Sequence, residues 1–410
     1  MELGYIHFST EEKNNLYKVI QSIREHHAID ELGIGRIRDC FSNRMFPGMS
    51  TLQNRAKYFA VLPSLYQQAE RFHYNNVKEV RAKIIDLEIK LTNQLINGNP
   101  EHSDTGITGS NVITDALRNP NKYVKYDPTY IYMGGMMTYG MVSSNGNIYR
   151  LIFERSKAKA SRPERFAGTD KEDGDDYEQM GTAQPFNTGG LTYIFDGKTP
   201  MSIKLTRDEA AFIKEMIETS PHSQNSLLSY LLQNPDLSRV GDYLGNERLW
   251  NNLPEGFRSC YLLSVRFSKF IYLLRLYYNY LYCFKTGNEN GSAKYLDEFK
   301  DYLENNGKEF TVYNIEEILM YVCDDVTDSN LLAFCREAAR ILEDGDIESN
   351  GPLAQLIIKR EHDTKGDRAK LLHPDRYKGQ PHTEAQLLDY RWNLVFSMLN
   401  EIMEGPYDGE

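Results

Sequence analysis

The stretch from Glu255 to Phe284 constrains the fold more than any other part of this chain. Apolar and aromatic residues fall on every side of the helix it would form, and its most apolar part, Phe270 to Phe284, is interrupted by Arg275 and Asn279. A helix apolar nearly all round must be covered on all sides, as the central helix of a bundle or as a membrane span. The apolar run is shorter than the ~20 residues a span needs. The simpler reading is the core of a helical bundle.

Helical periodicity recurs upstream. Ser9 and Glu12 form a capping box, and behind it Leu16, Val19, Ile20 and Ile23 repeat at helical spacing. A second helix starts near Gly35 and stops before the turn dipeptide Pro47-Gly48. Ser50 or Thr51 can cap a third, running to about Phe72 with a kink at Pro63. Val77, Val80, Ile84, Leu87, Leu91 and Leu95 then mark a clean amphipathic helix. A short helix over Val112–Leu117 and a start signal at Asp127-Pro128 are compatible with a helix-turn-helix-like unit. The second of these helices carries Gly134-Gly135 and few cations, so a plain helical pair is favoured.

Residues 154–190 are polar and switch charge. Arg150, Arg155, Lys157, Lys159, Arg162 and Arg165 precede an acidic run from Asp170 to Glu178, which reads as a linker or surface loop. Two strand candidates follow, Leu191–Phe195 and Met201–Leu205, with Asp196-Gly197 as the turn of a small β-hairpin. Thr206 and Glu209 form another capping box, and helices fill the rest, with a loop at Asn288–Gly291 and a break near Asp344–Gly351. The expected architecture is mainly α: an N-terminal helical domain (1–153), the linker (154–190), a central helical bundle with the hairpin (191–345), and a C-terminal helical segment packed on it (346–410).

A length of 410 residues suits two or three domains. Twenty-eight tyrosines suit half-wet packing and interfaces alike, and packing is the plainer explanation. The opening MELGYIHFST lacks a basic segment followed by an apolar run, so no secretory signal is expected. Cys40, Cys260, Cys283, Cys323 and Cys335 are scattered without metal-ligand spacing, which reads as buried free thiols in a reducing, cytoplasmic compartment. The formal charge of −11 argues against a protein that coats nucleic acid, though a local basic patch remains open.

Fragments of catalytic motifs lack their partners. Asp86-Leu87-Glu88-Ile89-Lys90 contains the Glu-x-Lys of restriction-type nucleases, whose carboxylates and lysine must converge from neighbouring strands. Inside a helical repeat Glu88 and Lys90 point to different sides, so a solvated helix face is expected there. His26-His27 lack ligands one turn away. Gly33-Ile34-Gly35 lacks the third glycine and the preceding strand of a dinucleotide loop. His373-Pro374-Asp375 matches the signature loop of J-domains, which contacts an Hsp70 chaperone, but the J-domain's first helix has no counterpart upstream. No P-loop, zinc-protease or nucleophile-elbow motif is present. We therefore expect no metal and no cofactor, and identify no catalytic residues.

Two basic segments are candidate binding surfaces. Arg36, Arg38, Arg44, Arg55 and Lys57 stand against one acid, Asp39, between Leu32 and Phe59. Arginines near helix starts and a glycine-flexible approach suit phosphate contact, and pairing with acids elsewhere in the chain suits them equally. From Lys359 to Lys378 seven Lys/Arg meet four acids. Cations at a helix end are ordinary dipole complements, with a functional surface as the alternative.

These segments carry a resemblance. LGIGRIRD (32–39) followed by FPGMSTLQNRAKYF (46–59), Gly-Ile-Thr-Gly at 106–109 and Pro128-Thr129-Tyr130-Ile131-Tyr132 come first. Arg266-Phe267-Ser268 with Tyr278-Asn279, Arg360-Glu361 with Lys365-Gly366, and Tyr390-Arg391-Trp392 follow in order. The chain resembles, over nearly its whole length, the bacterial family catalogued as domain of unknown function 6361. It departs at Tyr132-Met133, where the family pattern has a Tyr-Trp pair. The resemblance implies a cytoplasmic component of an anti-phage gene cluster, encoded beside helicases, DNA methyltransferases and phospholipase-D-like nucleases, with DNA or such a protein as partner. It supplies no catalytic residues. The expectation is a non-catalytic DNA-binding or scaffolding subunit using Arg36, Arg38, Arg44, Arg55 and Lys57, with a second surface at Arg360, Glu361, Lys365, Arg391 and Trp392. A metal-dependent nuclease or other phage-triggered effector is the alternative, and a chaperone cofactor the more distant one.

Overall fold

The structure, a computed structural model, describes residues 30–100, 106–110, 123–144, 147–160, 184–238, 245–345, 350–380 and 385–403. The Ser9–Ile23 helix, His26-His27, the Val112–Leu117 helix and the acidic run at 170–178 lie outside these residues. The described elements are helices. In chain order they are α1 (Gly35–Met45), α2 (Lys57–Ala69), α3 (Val77–Gly98), α4 (Pro128–Thr138), α5 (Ile148–Ala160), α6 (Arg207–Thr219), α7 (Leu227–Gln233) and α8 (Pro235–Ser238). There follow α9 (Glu247–Asn252), α10 (Glu255–Thr286), α11 (Glu289–Asn306), α12 (Val312–Val322), α13 (Ser329–Asp344), α14 (Pro352–Lys365), α15 (Pro374–Tyr377) and α16 (Trp392–Met403).

The chain divides into two compact units, each assembled from separated stretches. One comprises residues 1–45 and 242–390; the other comprises 46–241 and 391–410. The boundaries expected at 153 and 345 do not coincide with this division. Local periodicity shows that a segment is helical but not which distant helix covers its apolar side.

In the first unit α10 is the central helix. It buries residues on all sides, among them Phe267, Leu273, Leu276 and Asn279, as an all-round apolar pattern requires. Gly287, at φ +76°, ends α10 in the left-handed conformation that glycine adopts without strain. Asn288 then caps α11 by accepting a hydrogen bond from Gly291 N at 2.9 Å. The expected loop at 288–291 is thus only a tight corner. α11 returns antiparallel along α10, with Tyr277 against Phe299 (5.0 Å between ring centroids) and Tyr272 against Tyr302 (4.8 Å). The high tyrosine content serves packing here.

In the second unit α3 buries one stripe and α2 is buried nearly throughout, continuing through Pro63. α2 begins at Lys57, later than Ser50 or Thr51. The backbone N–H groups of Asn54 and Arg55 donate to the Tyr132 hydroxyl, and Ala56 N donates to Glu401. These side chains satisfy the groups ahead of the helix, so it need not start earlier. The expected linker also begins inside a helix, because residues 154–160 complete α5. Arg155 and Lys159 of that helix pair with the buried Glu70, at 2.9 and 2.7 Å.

No β-hairpin forms over 191–205. Among the described residues the one β contact is an isolated bridge between Val142 and Phe186. The turn at Asp196-Gly197 is present, with Asp196 accepting from Lys198 N and Thr199 N. The flanking segments bond to the end of α3 instead of to each other. Gln94 donates to the carbonyls of Ile194 and Thr199, Met201 N donates to Gln94 O, and Asn99 donates to Met201 O. Backbone groups already satisfied by side chains have no need of a ladder.

Candidate functional site

Asp30 shapes the approach to α1. Its carboxylate accepts from Leu32 N at 2.9 Å and Ile34 N at 3.1 Å, and Gly33 takes φ +60°. α1 then buries Ile37, Cys40, Phe41 and Met45. Arg36 is exposed and forms no ion pair with a described residue. Arg38 pairs with its neighbour Asp39 at 3.0 Å and stays 41% exposed. Arg44 is engaged: it binds Asp325 at 2.8 Å and lies over the Tyr321 ring, 4.4 Å from its centroid.

The other two candidates belong to the second unit. Arg55 pairs with Glu401 at 2.5 Å. Lys57 is buried, its Nζ 2.6 and 2.7 Å from the two oxygens of Glu209, which also accepts from the Tyr193 hydroxyl and from Thr206 N in the capping box. Burial holds the Lys57 ammonium below its usual range, against the pull of Glu209. A phosphate could reach Lys57 only by displacing Glu209. Of the two readings left open for the five cations, intramolecular pairing describes Arg38, Arg44, Arg55 and Lys57, though Arg38 keeps 41% of its side chain exposed, and Arg36 is exposed.

Of the second set Arg360, Glu361, Arg391 and Trp392 are buried and Lys365 is half-buried. Arg360 is 7% exposed and Glu361 fully buried. Arg360 donates to the carbonyls of Leu32 at 2.8 Å and Gly33 at 3.1 Å, and it lies over the Phe334 ring. Glu361 accepts from the Tyr278 hydroxyl at 2.7 Å and from Lys370 N and Leu371 N at 3.0 and 2.9 Å. Lys365 and Lys370 both reach Glu31. Buried charges persist where such partners replace water. Together they hold the Leu32-Gly33-Ile34-Gly35 segment and the turn after α14 against the helices. Gly33 is needed there: a Cβ would lie 2.9 Å from the Thr364 methyl and 3.0 Å from the Arg360 guanidinium. In the other unit Arg391, 9% exposed, donates to Met49 O at 2.7 Å, and Trp392 is buried beside Phe46 and Phe396.

The motif fragments resolve similarly. His373-Pro374-Asp375 opens α15, a single turn against α10 in which the Tyr282 hydroxyl meets the carbonyls of Tyr377 and Gln380. It is not a loop joining two long antiparallel helices, which a J-domain reading requires. Cys40, Cys260, Cys283 and Cys335 are buried free thiols, while Cys323 is exposed, contrary to expectation. Burial pushes the Cys40 thiol up to about 12, so it is inert.

Glu88 was expected on a solvated face and is buried, 1% exposed. Lys90 points elsewhere and pairs with Asp86 at 2.9 Å. Glu88 accepts from Thr129 N at 2.8 Å, from the Thr129 hydroxyl at 2.7 Å, and from the Tyr123 hydroxyl. The Tyr66 hydroxyl donates to Thr129 Oγ1. Asp127, which caps α4 through Tyr130 N, is a further carboxylate near this site. Burial first, and then the Asp127 charge, push the Glu88 carboxyl up to about 8, although its hydrogen bonds from Tyr123 and Thr129 act the other way. A signal for this was present: Ile84, Glu88, Leu91 and Leu95 are spaced four, three and four apart, which places Glu88 within the apolar stripe.

Among the described residues no group of three or more His, Cys, Asp or Glu is placed to hold a metal ion, and no helix is long and apolar enough to cross a membrane. Residues 1–155 match the model of a family described as "Family of unknown function (DUF6361)", which supports that family assignment over this part of the chain. No curated protein and no solved structure matches the chain.

Proposed function

We propose that this protein acts by binding, as a scaffolding component of a cytoplasmic phage-defence system. One observation carries the reading: the charged residues through which the chain resembles its family mostly engage its own interior. Arg55 meets Glu401, Arg360 meets the Leu32 and Gly33 carbonyls, Lys365 meets Glu31, and Arg391 meets the Met49 carbonyl. Such residues specify a rigid shape and leave partner contact to other surfaces. The defence setting comes from the resemblance alone, and with it the partner classes: a helicase, a DNA methyltransferase or a phospholipase-D-like nuclease. The test is co-expression of the tagged full chain with the products of its neighbouring genes. A stable stoichiometric complex is expected, and recovery of the chain alone from every combination overturns the reading.

Direct DNA contact is a second reading, favoured by the accessibility of Arg36 and Arg38 on α1. Phosphate contacts release counterions, so affinity must fall as salt rises. Binding of unrelated duplexes at two salt concentrations is the measurement. Arg36→Ala with Arg38→Ala should weaken all duplexes alike; no binding, or binding indifferent to salt, removes the phosphate role.

A further inference from the structure

α12 packs through Ile315, Ile318, Leu319 and Val322, the i, i+3, i+4, i+7 set of a one-sided helix. Its other side faces outward and mixes exposed apolar residues with acids. Tyr313 is 80% exposed, Met320 67% and Val312 38%. Residues 313, 316, 317, 320 and 324 follow one another along this side, so Tyr313 and Met320 stand about 10 Å apart along the axis. Cys323 is exposed just beyond them. Single exposed apolar residues need no explanation, whereas Tyr and Met repeated along one helix face are the composition of an interface.

The surroundings are acidic. From Glu289 to Asp344 there are fourteen Asp and Glu against five Lys and Arg; Arg44, Arg266 and Lys269 from outside the segment pair with Asp325, Glu317 and Glu309, which leaves a net of −6 within a chain whose formal charge is −11. None of the fourteen acids is buried. Glu316 and Glu317 lie between Tyr313 and Met320, held in place by Arg336 at 2.6 Å and Arg266 at 2.7 Å. Glu343 accepts from Val312 N at one end of the helix, and Asp324 is exposed just past the other.

We infer that this face of α12 docks a basic, apolar segment of a partner protein. The charge selects the occupant. Lys or Arg flanking apolar side chains complements this surface, whereas a nucleic-acid backbone or an anionic membrane is repelled. A second copy through the same face would set its acids against themselves. The inference rests on the scaffolding reading and names the chemistry of what is scaffolded.

The test uses the full chain and a synthetic 18-residue amphipathic Leu/Lys peptide, with its Leu/Glu counterpart as control. Anisotropy titration should show binding of the Lys peptide only, and bound peptide should slow alkylation of Cys323. Tyr313→Ala with Met320→Ala, both at exposed positions, should melt like wild type and bind the peptide at least about tenfold more weakly, as loss of a central aromatic anchor implies. Asp324→Lys should weaken binding as well. Equal affinity for both peptides, or undiminished binding by the double variant, overturns the proposal. So does a concentration-dependent dimer that the double variant abolishes, which assigns the face to a second copy. If wild type and double variant co-purify equally with a neighbouring gene product, scaffolding stands and this face is overturned. If the peptide binds here and no neighbour is recovered, the face stands and the scaffolding reading falls.

Discussion

Glu88 illustrates how one enclosed carboxyl group ties stability to pH. Its carboxyl holds a proton in the folded state up to about 8, against an ordinary 4.5, because ionising it there would create a negative charge out of reach of water and beside Asp127. A carboxyl raised in this way contributes stability that is fully present below about 4.5 and is lost as pH rises through about 8. Asp127 is also raised by burial, so its contribution has the same sign. Glu88→Gln removes the larger titration and should flatten the fall in melting temperature across that window, leaving a residual slope from Asp127. Melting curves of both proteins at several pH values decide it; parallel profiles would falsify the assignment. At this scale residue type said little about environment. Arg36 and Arg360 are both arginines in basic segments, yet one is exposed and the other reaches two backbone carbonyls in the interior.

Elements with local punctuation were legible. Gly35 and Pro47-Gly48 bracket α1, the apolar spacing from Val77 marks α3, and the Thr206–Glu209 box starts α6. Elements whose ends depend on distant groups were not. The true start of α2 reflects the Tyr132 hydroxyl and Glu401, and the hairpin is lost to Gln94 and Asn99. The same packing leaves no side-chain room at the end of α3, where a Cβ on Gly98 would come within 2.2 Å of the Met201 carbonyl oxygen. Gly98→Ala should therefore destabilise the protein by about 1–3 kcal/mol, the usual cost of overpacking. Urea denaturation measures this, and an unchanged midpoint would mean that the 201–205 segment does not rest on α3.

The two units are interleaved along the chain, so neither is a contiguous sequence. A fragment of residues 1–153 would contain Lys57 without Glu209, Arg55 without Glu401, and α1 without α10. It should not unfold cooperatively when expressed alone, since a buried cation that loses its partner is strongly destabilising. A sharp calorimetric transition from that fragment would overturn the division into units. The starting feature, the all-round apolar helix from Glu255, was determined by sequence alone, because a helix with no polar side must be covered whatever covers it. Helical class and the starts of α1, α3, α4, α6 and α10 followed equally from local spacing and capping. Tertiary structure alone decided which cations face water, which carboxyl lies inside, and which stretches share a core. Those outcomes depend on contacts between residues hundreds of positions apart, such as Leu32 with Arg360 and Arg55 with Glu401, on which local periodicity carries no information.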